Sequence, residues 1–407
     1  MKSVEVHVGW DTIAEIFSAF LKLGLTSFGG PVAHLGYFRQ ELVLRRGWID
    51  EAGYADTVAL CQFLPGPASS QVGFALGILR GRGLLGGVAA WLGFTLPSAL
   101  VMYVFALGAT NLRGAVAEGF LHGLKLVAVA VVGQALWGMA RTLTPDLVRI
   151  GVALAAAAIV VFAPPSVGQI GAIAGGVLLG IGLCRSVGST PRASLAYPVN
   201  RRAGSAALLC FLLILIVAPV LAAATHDGRL ALFAAFYRSG ALVFGGGHVI
   251  LPLLQAEVVA PGWVSSAAFL DGYGLAQALP GPLSTFAVYL GALAQPGTQM
   301  SSPALAALVA IVGIFLPGML LVYGALPFWG ELRTRPRAQA AMRGANAAVV
   351  GILAVAFVDP VCTSALVGWS DGVAALLAFV LLVRWRAPSW IVVVLLALWG
   401  IATTFMH

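Results

Sequence analysis

Two cations stand in otherwise apolar stretches of this chain, each shortly before a glycine-rich segment. Lys22 precedes Gly29 and Gly30, and Arg238 precedes Gly245 and Gly246. A charge inside a membrane costs about 2.5–3.5 kcal/mol on insertion scales, so it usually has a function and a definite partner. These cations could attract an anionic substrate or pair with a carboxylate, and the sequence leaves both possibilities open.

A second type of break has the form Pro-Gly-Pro and occurs at 65–67 and 280–282. Glycine and proline at membrane depth are tolerated mainly where the freed backbone groups face protein or a wet cavity. A helix that starts at such a break exposes free N–H groups and the positive end of its dipole, which favours an anion. The alternative is that the breaks only let helices kink and pack closely. The predicted substrate-binding residues are Lys22, Ser27, Gly29, Gly30, Gln62, Gly66, Ser69, Ser70, Arg238, Gly245, Gly246, Gln277, Gly281, Ser284 and Thr285.

These marks occur twice, in the same order. Residues 20–67 and 236–282 match with an offset of 216 through the glycine motif and 215 through the Pro-Gly-Pro motif. A duplicated unit of this length in an apolar chain points to a transporter built from two structural repeats. Because both types of break recur, the repetition favours a binding site over simple kinking.

The composition requires a membrane. The chain is 60% hydrophobic and only 9% charged, with a mean hydropathy of +0.97. Its apolar segments have the length of helical spans and lack the alternation of a membrane barrel. The net charge of +8 resides in short loops, which indicates membrane orientation and no nucleic-acid partner. The four cysteines lie far apart without metal-ligand or redox spacing, so no metal and no cofactor is predicted.

Basic residues predict the topology. The stretches 39–46 and 80–82 should both face the cytoplasm, yet only the apolar segment 56–79 separates them. That segment must therefore enter the bilayer and turn back at the Pro-Gly-Pro motif, and residues 11–44 should form a similar hairpin. The second half lacks Lys and Arg in 255–268 and 293–303 and carries them in 333–343, as an inverted repeat requires.

The predicted fold is an all-α polytopic membrane protein with two inverted-topology repeats containing re-entrant helical hairpins. The first ten residues hold no signal core, and the N-terminus is expected in the cytoplasm. The predicted parts are a first repeat at 1–184, a basic cytoplasmic linker at 185–203, a linking transmembrane helix at 204–228 and a second repeat at 229–407.

Four titratable residues near the breaks could carry a coupling proton, namely His34, Asp56, His248 and Asp271. A lone histidine in a membrane protein is more often a packing residue, and the two aspartates could alternatively cap the helices of their hairpins. Glu41 and Glu257 also match each other, and we expect them to be solvated. Lys125, at the centre of a helix, matches Asn346 and merits testing.

These motifs resemble those of the chromate ion transporter family. The resemblance is carried by F-G-G-P-x-A-H at 28–34, by Q-x-L-P-G-P at 62–67 and 277–282, and by F-G-G-G-H-V-I-L-P-L-L at 244–254. It implies a bacterial inner-membrane exporter of chromate and of sulfate-like tetrahedral oxyanions. The partners it implies are the oxyanion, the lipid bilayer and a possible second copy in a homodimer.

Three functions compete on the sequence: a secondary oxyanion transporter, a passive oxyanion channel and a membrane-embedded enzyme. A sulfate-type anion exchanger of the same fold is a further alternative to the exporter. An enzyme is disfavoured because the chain has no paired histidines, thiol pairs or nucleotide loops. The potential alone would favour export of a dianion from an inside-negative cell. We therefore expect a transporter.

Overall fold

The computed structural model describes residues 9–109, 114–163, 165–184, 197–244, 247–295 and 302–405, and every regular element in these ranges is helical. The first half contains α1 (Trp10–Thr26), α2 (Gly30–Phe38), α3 (Glu51–Phe63), α4 (Ala68–Arg80), α5 (Leu84–Ala109), α6 (Ala115–Leu143), α7 (Leu147–Phe162) and α8 (Pro165–Leu183). After α9 (Arg201–Thr225), the second half contains α10 (Gly228–Ala241), α11 (Ile250–Leu254), α12 (Ser266–Ala278), α13 (Phe286–Leu293), α14 (Pro303–Ala325), α15 (Trp329–Leu332), α16 (Pro336–Ala356), α17 (Thr363–Ala365), α18 (Trp369–Arg384) and α19 (Ser389–Thr404).

Several helices have the length and surface of membrane spans. Within the described ranges, five helical segments are long and apolar enough to cross a membrane: α5, α6 and α9, the stretch from α14 through α15, and the stretch from α16 through α17. In α9 only 17% of the most apolar window is buried. So much exposed apolar surface would be unfavourable in water, and the molecule is accordingly a multi-pass membrane protein. The predicted linker at 185–203 overlaps this helix, because α9 already begins at Arg201.

The chain breaks where glycine and proline predicted it would. Gly29 and Gly30 separate α1 from α2 with φ angles of 94° and 78°. Gly66, at 130°, lies between α3 and α4, and Gly281, at 100°, lies after α12. These left-handed angles are strained for any residue with a Cβ atom, so glycine is required at the turns themselves.

The two halves pack in the same way at matched positions. In the first half α1 crosses α5, and a Cβ atom on Gly24 would lie 2.7 Å from the Phe94 carbonyl oxygen. In the second half α10 crosses α14, and Gly240 meets the carbonyl of Ile314 in the same manner. Both crossings bring backbones together through glycine, as is common between membrane helices. The sequence repeat is thus also a repeat of helix contacts.

The halves also interlock. The long helix α6 of the first half packs on α19 of the second half, with Gly123 and Gly400 in backbone contact. The corresponding helix α16 packs on α8 of the first half, with Gly344 and Gly180 in backbone contact. Each half therefore contributes its last helix to the packing of the other half.

One alternative that the sequence left open is excluded. Asp56 and Asp271 do not cap their helices, because α3 begins at Glu51 after a cap formed by Asp50, and α12 begins at Ser266 after a cap formed by Ser265. The Asp50 side chain accepts a hydrogen bond from the Gly53 N–H at 2.8 Å. Both predicted aspartates lie inside their helices and are free for other contacts.

Candidate functional site

The broken segments of the two halves are joined by a reciprocal pair of backbone hydrogen bonds. The Gly66 N–H of the first half donates to the Val243 carbonyl of the second at 2.7 Å. The Gly281 N–H of the second half donates to the Ser27 carbonyl of the first at 2.9 Å. These four residues are matched in the sequence repeat, 215 or 216 positions apart. The Pro-Gly-Pro break of each half therefore contacts the residues just before the glycine-rich break of the other half.

A second contact brings the two glycine-rich segments together. A Cβ atom on Gly247 would lie 3.0 Å from Cγ of Pro31, and one on Gly30 would lie 4.0 Å from Nε2 of His248. The predicted residues Gly245 and Gly246 lie outside the described residues. The glycine-rich break of the first half thus contacts both breaks of the second half: the glycine-rich one through Pro31 and the Pro-Gly-Pro one through Gly281.

A cavity opens beside this contact. It consists of two adjoining lobes of about 550 and 620 Å³, and we name it the central cavity. Both lobes are lined by Gly29, Gln134, His248, Leu382 and Arg386. The first lobe adds Phe28, Gly30, Gln277 and Ser389, and the second adds Pro31, Arg141 and Gly247. This space is large enough for a small hydrated ion.

The lining is positive. Arg141 and Arg386 reach the central cavity, and none of the described lining residues is an aspartate or a glutamate. Arg386 makes no hydrogen bond or ion pair with any residue that the structure describes, and its φ of 53° is unusual for a residue other than glycine. Arg141 lies over the Trp137 ring at 4.6 Å. Unneutralised cations with amide side chains suit an anion.

Three of the predicted binding residues line the described cavity, namely Gly29, Gly30 and Gln277, and so does His248 from the titratable set. Gly66, Gly281 and Ser27 lie in the reciprocal hydrogen bonds. Gln62 is exposed outside the cavity lining. The predicted hydroxyl residues are buried around the breaks. The Ser69 hydroxyl lies 3.3 Å from His34 Nδ1, and the Thr285 hydroxyl donates to the Pro282 carbonyl. The Ser70 hydroxyl has no hydrogen-bond partner among the described residues. Ser284 is also buried.

The two predicted cations are engaged by carboxylates. Lys22 Nζ lies 2.7 Å from Glu41 Oε2, and Arg238 holds Glu257 through two hydrogen bonds of 2.6 Å. These pairs are matched in the two halves. The expectation that Glu41 and Glu257 are solvated is therefore wrong: their side chains are only 8% and 19% exposed because each one neutralises the cation of its own hairpin.

The four titratable candidates have different surroundings. Asp56 accepts hydrogen bonds from Trp329 Nε1 at 3.0 Å and Arg333 Nη1 at 2.7 Å, so it is held in an ion pair between the halves. His248 Nδ1 lies 2.9 Å from the Tyr273 hydroxyl. His34 is almost completely buried, with Nδ1 3.3 Å from the Ser69 hydroxyl and Nε2 without a partner among the described residues.

Asp271 differs from its counterpart Asp56. Its Oδ1 is buried without a hydrogen-bond partner among the described residues, and the residue lines a separate cavity of about 350 Å³. Lys125 of α6 attracts it electrostatically, and the Lys125 side chain makes no hydrogen bond with any described residue. The matched position of Lys125 is Asn346. The repeat is therefore not symmetric in its charges.

Sequence reasoning missed Gln134, Arg141 and Arg386. Neither arginine was among the predicted binding residues, and Gln134 lies in the middle of an apolar helix. A polar residue in a membrane helix is a signal by itself, and Gln134 could have been found by it.

Comparison with known proteins identifies the class. The sequence profile of the family described as "Chromate transporter" matches residues 14–181 and 230–401. The chain belongs to this family of membrane transporters. It is 31% identical over 404 residues to the "Chromate transport protein" of Pseudomonas aeruginosa, covering 94% of this chain and 90% of that protein.

Two further relatives agree. The chain is 30% identical to the "Probable chromate transport protein" of Synechococcus elongatus, covering 87% of this chain and 86% of the relative. It is 28% identical to the "Chromate transport protein" of Cupriavidus metallidurans, covering 84% and 81%. No solved structure matches the chain.

Proposed function

We propose that this protein exports chromate, and tetrahedral oxyanions of sulfate type, across the bacterial inner membrane. One observation carries the proposal: a cavity with two arginines and no described carboxylate lies where the breaks of both halves meet. The names of the relatives supply chromate as the first substrate to test.

The donors around the central cavity suit a tetrahedral dianion. Arg386 and Arg141 supply positive charge, and Gln134 and Gln277 supply amide N–H groups. Guanidinium and amide donors form charge-assisted hydrogen bonds with oxyanions. A carboxylate in the same lining would repel the anion, and the described lining holds none. Lys22 and Arg238 act in this proposal as partners of Glu41 and Glu257 that hold each hairpin together.

The proposed topology consists of two inverted repeats, residues 1–184 and 229–407, joined by the linker and α9. Groups predicted to be cytoplasmic contact one another, which supports this arrangement. Arg46 and Arg80 both pair with Glu15, at 3.5 and 2.9 Å, although they lie on opposite sides of the α3–α4 segment. Because both ends of that segment lie near one carboxylate, its chain must double back. This is the contact that a re-entrant hairpin needs.

The arginines of the central cavity also support this topology, because Lys and Arg are concentrated on the cytoplasmic side of membrane proteins. Arg141 and Arg386 come from different halves and line the same lobe of the central cavity. The N-terminus and this cavity mouth accordingly face the cytoplasm in the proposal. The apolar outer surface of α9 and the other spans contacts lipid.

The membrane potential can drive export. At 100 mV, inside negative, moving one charge across the membrane is worth about 2.3 kcal/mol, and a dianion gains about twice that on leaving. If a proton is also exchanged, His248 in the central cavity and Asp271 in the separate cavity are the proposed carriers. Asp56 is excluded from this role here because Arg333 and Trp329 already hold it.

Purified protein in liposomes tests the function. Uptake of labelled chromate is measured at a set potential and pH gradient, with sulfate and molybdate as competitors. Saturable flux that sulfate inhibits supports an oxyanion carrier. Conductance far above carrier rates identifies a channel, and flux that requires a second anion on the opposite side identifies an exchanger. Absence of chromate and sulfate flux in correctly inserted protein refutes the proposal.

A further inference from the structure

A second, smaller pocket of about 260 Å³ lies at positions that match the central cavity. Its walls are formed by Val160 of α7, Gln169 of α8, Pro252 of α11 with Gln255 directly after this helix, and Val355 of α16 with Asp359 three positions after the end of that helix. We name it the exit pocket. All of these residues belong to the part of the chain that the structure describes.

The two spaces correspond through the repeat. Ile352, Val355 and Ala356 of the exit pocket lie 221 positions after Val131, Gln134 and Ala135, which line the central cavity. The same offset relates Gly123 and Gly344, whose backbone contacts fix the packing of α6 on α19 and of α16 on α8. The match is therefore one of helix packing as well as of sequence.

The two spaces also differ in depth. The central cavity reaches the glycine break at Gly29 and Gly30, whereas no break residue is among the described lining of the exit pocket. Two copies of one fold are present, one open to the breaks and one closed. Transporters with inverted repeats alternate access by exchanging such arrangements between their halves.

One hydrogen bond connects the walls of the exit pocket. Gln169 Nε2 donates to the Pro252 carbonyl at 2.7 Å and so ties α8 to α11. The side chain of Gln255, in the same pocket, makes no hydrogen bond with any described residue. Separating α8 from α11 would break the Gln169–Pro252 hydrogen bond and would cost no hydrogen bond of the Gln255 side chain.

We propose that the exit pocket is the outward vestibule through which the oxyanion leaves, held closed in this structure by the Gln169–Pro252 hydrogen bond. The inference rests on the proposed inverted-repeat transport, because inversion places matched positions on opposite faces of the membrane.

The charges of the two spaces fit a direction. The central cavity carries Arg141 and Arg386, whereas the exit pocket carries Asp359 at the position that matches Gly138. Asp359 is exposed and accepts a hydrogen bond from the Thr363 hydroxyl at 2.9 Å. A dianion is attracted at the first mouth and repelled at the second, which favours release outside.

Single cysteines test the proposal in full-length protein whose native cysteines have been replaced. Gln134→Cys reports on the central cavity and Val355→Cys on the exit pocket, each exposed to a membrane-impermeant thiol reagent on one side of oriented vesicles. Leu209→Cys on the exposed apolar surface of α9 is the control for reagent that partitions into the membrane. Chromate flux is measured in the vesicles that carry Val355→Cys, because Gln134 lines the proposed anion site and Val355 does not.

Gln134→Cys should react from the cytoplasmic side and Val355→Cys only from the other side. Adding Gln169→Ala should speed the reaction of Val355→Cys about two- to tenfold, the range expected for loss of one hydrogen bond. Gln255→Ala should leave that rate unchanged. Reaction of Val355→Cys from the cytoplasmic side, from neither side, or at a rate insensitive to Gln169→Ala overturns the proposal.

The readouts separate this inference from the proposed function. If chromate flux is seen but Val355→Cys is not labelled from outside, the exit-pocket proposal is refuted and the proposed transport function stands. If the labelling is as expected but neither chromate nor sulfate is transported, the exit pocket is supported as an outward vestibule and the proposed substrate is refuted.

Discussion

Replacing the two hairpin cations by methionine should have unequal effects, because their carboxylate partners differ. Glu41 also accepts hydrogen bonds from Arg45 at 3.0 Å and from Arg46 at 2.8 Å, so Lys22→Met leaves it neutralised. Glu257 has no other described partner than Arg238.

The expected magnitudes follow from this difference. Lys22 is 47% exposed, and losing such a pair typically costs at most about 1 kcal/mol. Arg238→Met leaves Glu257, only 19% exposed, without its bidentate partner, for which about 1–3 kcal/mol is expected. We therefore expect Arg238→Met to lower the melting temperature of detergent-solubilised protein more than Lys22→Met does.

A double variant separates stability from substrate binding. Arg238→Met with Glu257→Gln removes both charges, so the uncompensated carboxylate disappears and stability should return towards wild type. Because Arg238 does not line the described central cavity, this variant should also transport chromate. A folded double variant without flux would refute the reasoning and assign Arg238 to the anion.

Three further predictions follow from single contacts. Gly281→Ala should destabilise the protein more than Gly262→Ala does. Both glycines have left-handed φ angles, which cost a residue with a Cβ atom about 1–2 kcal/mol. Only at Gly281 would the new Cβ also lie 2.8 Å from the Ser98 hydroxyl oxygen of α5, which adds about 1–3 kcal/mol. Equal losses of melting temperature would show that the close approach is unimportant. Arg386→Gln should raise the KM for chromate by about tenfold or more, the loss expected for a charged hydrogen bond, whereas Arg384→Gln, outside the cavity lining, should not; equal KM values would remove Arg386 from the site. Asp271→Asn should abolish flux driven by a pH gradient and keep flux driven by the potential, and unchanged pH-driven flux in liposomes would exclude this aspartate as the carrier.

The breaks of the fold were predictable because their cause is local. Gly66 and Gly281 adopt φ angles that other residues avoid, and flanking prolines cannot continue a helix. Such signals act within a few residues and can be read without knowing what lies nearby. The partners of these breaks could not be read in this way, since the hydrogen bond from Gly66 to Val243 joins residues far apart in the chain.

The ion pairs were within reach of the sequence. Lys22 and Glu41 are separated by 19 positions, and so are Arg238 and Glu257. An acid and a base repeated at the same spacing in an apolar chain predict a pair, because neither charge is stable alone in a membrane. Lys22 and Arg238 were predicted to bind the substrate because they recur at matched positions. Glu41 and Glu257 recur in the same way, and this predicts that each acid neutralises the cation of its own half.

The positive cavity could not be found through the repeat, for a physical reason. Gln134 and Arg141 are replaced at the matched positions by Val355 and Cys362. Residues kept in both halves are those that both halves need, which here means the backbone turns, the close helix crossings and the hairpin ion pairs. Two halves with identical chemistry would bind an anion equally well from either side. A preference for one side must therefore reside at positions where the halves differ, and the charges at Arg141 and Asp359 are the differences that the structure places at the two mouths.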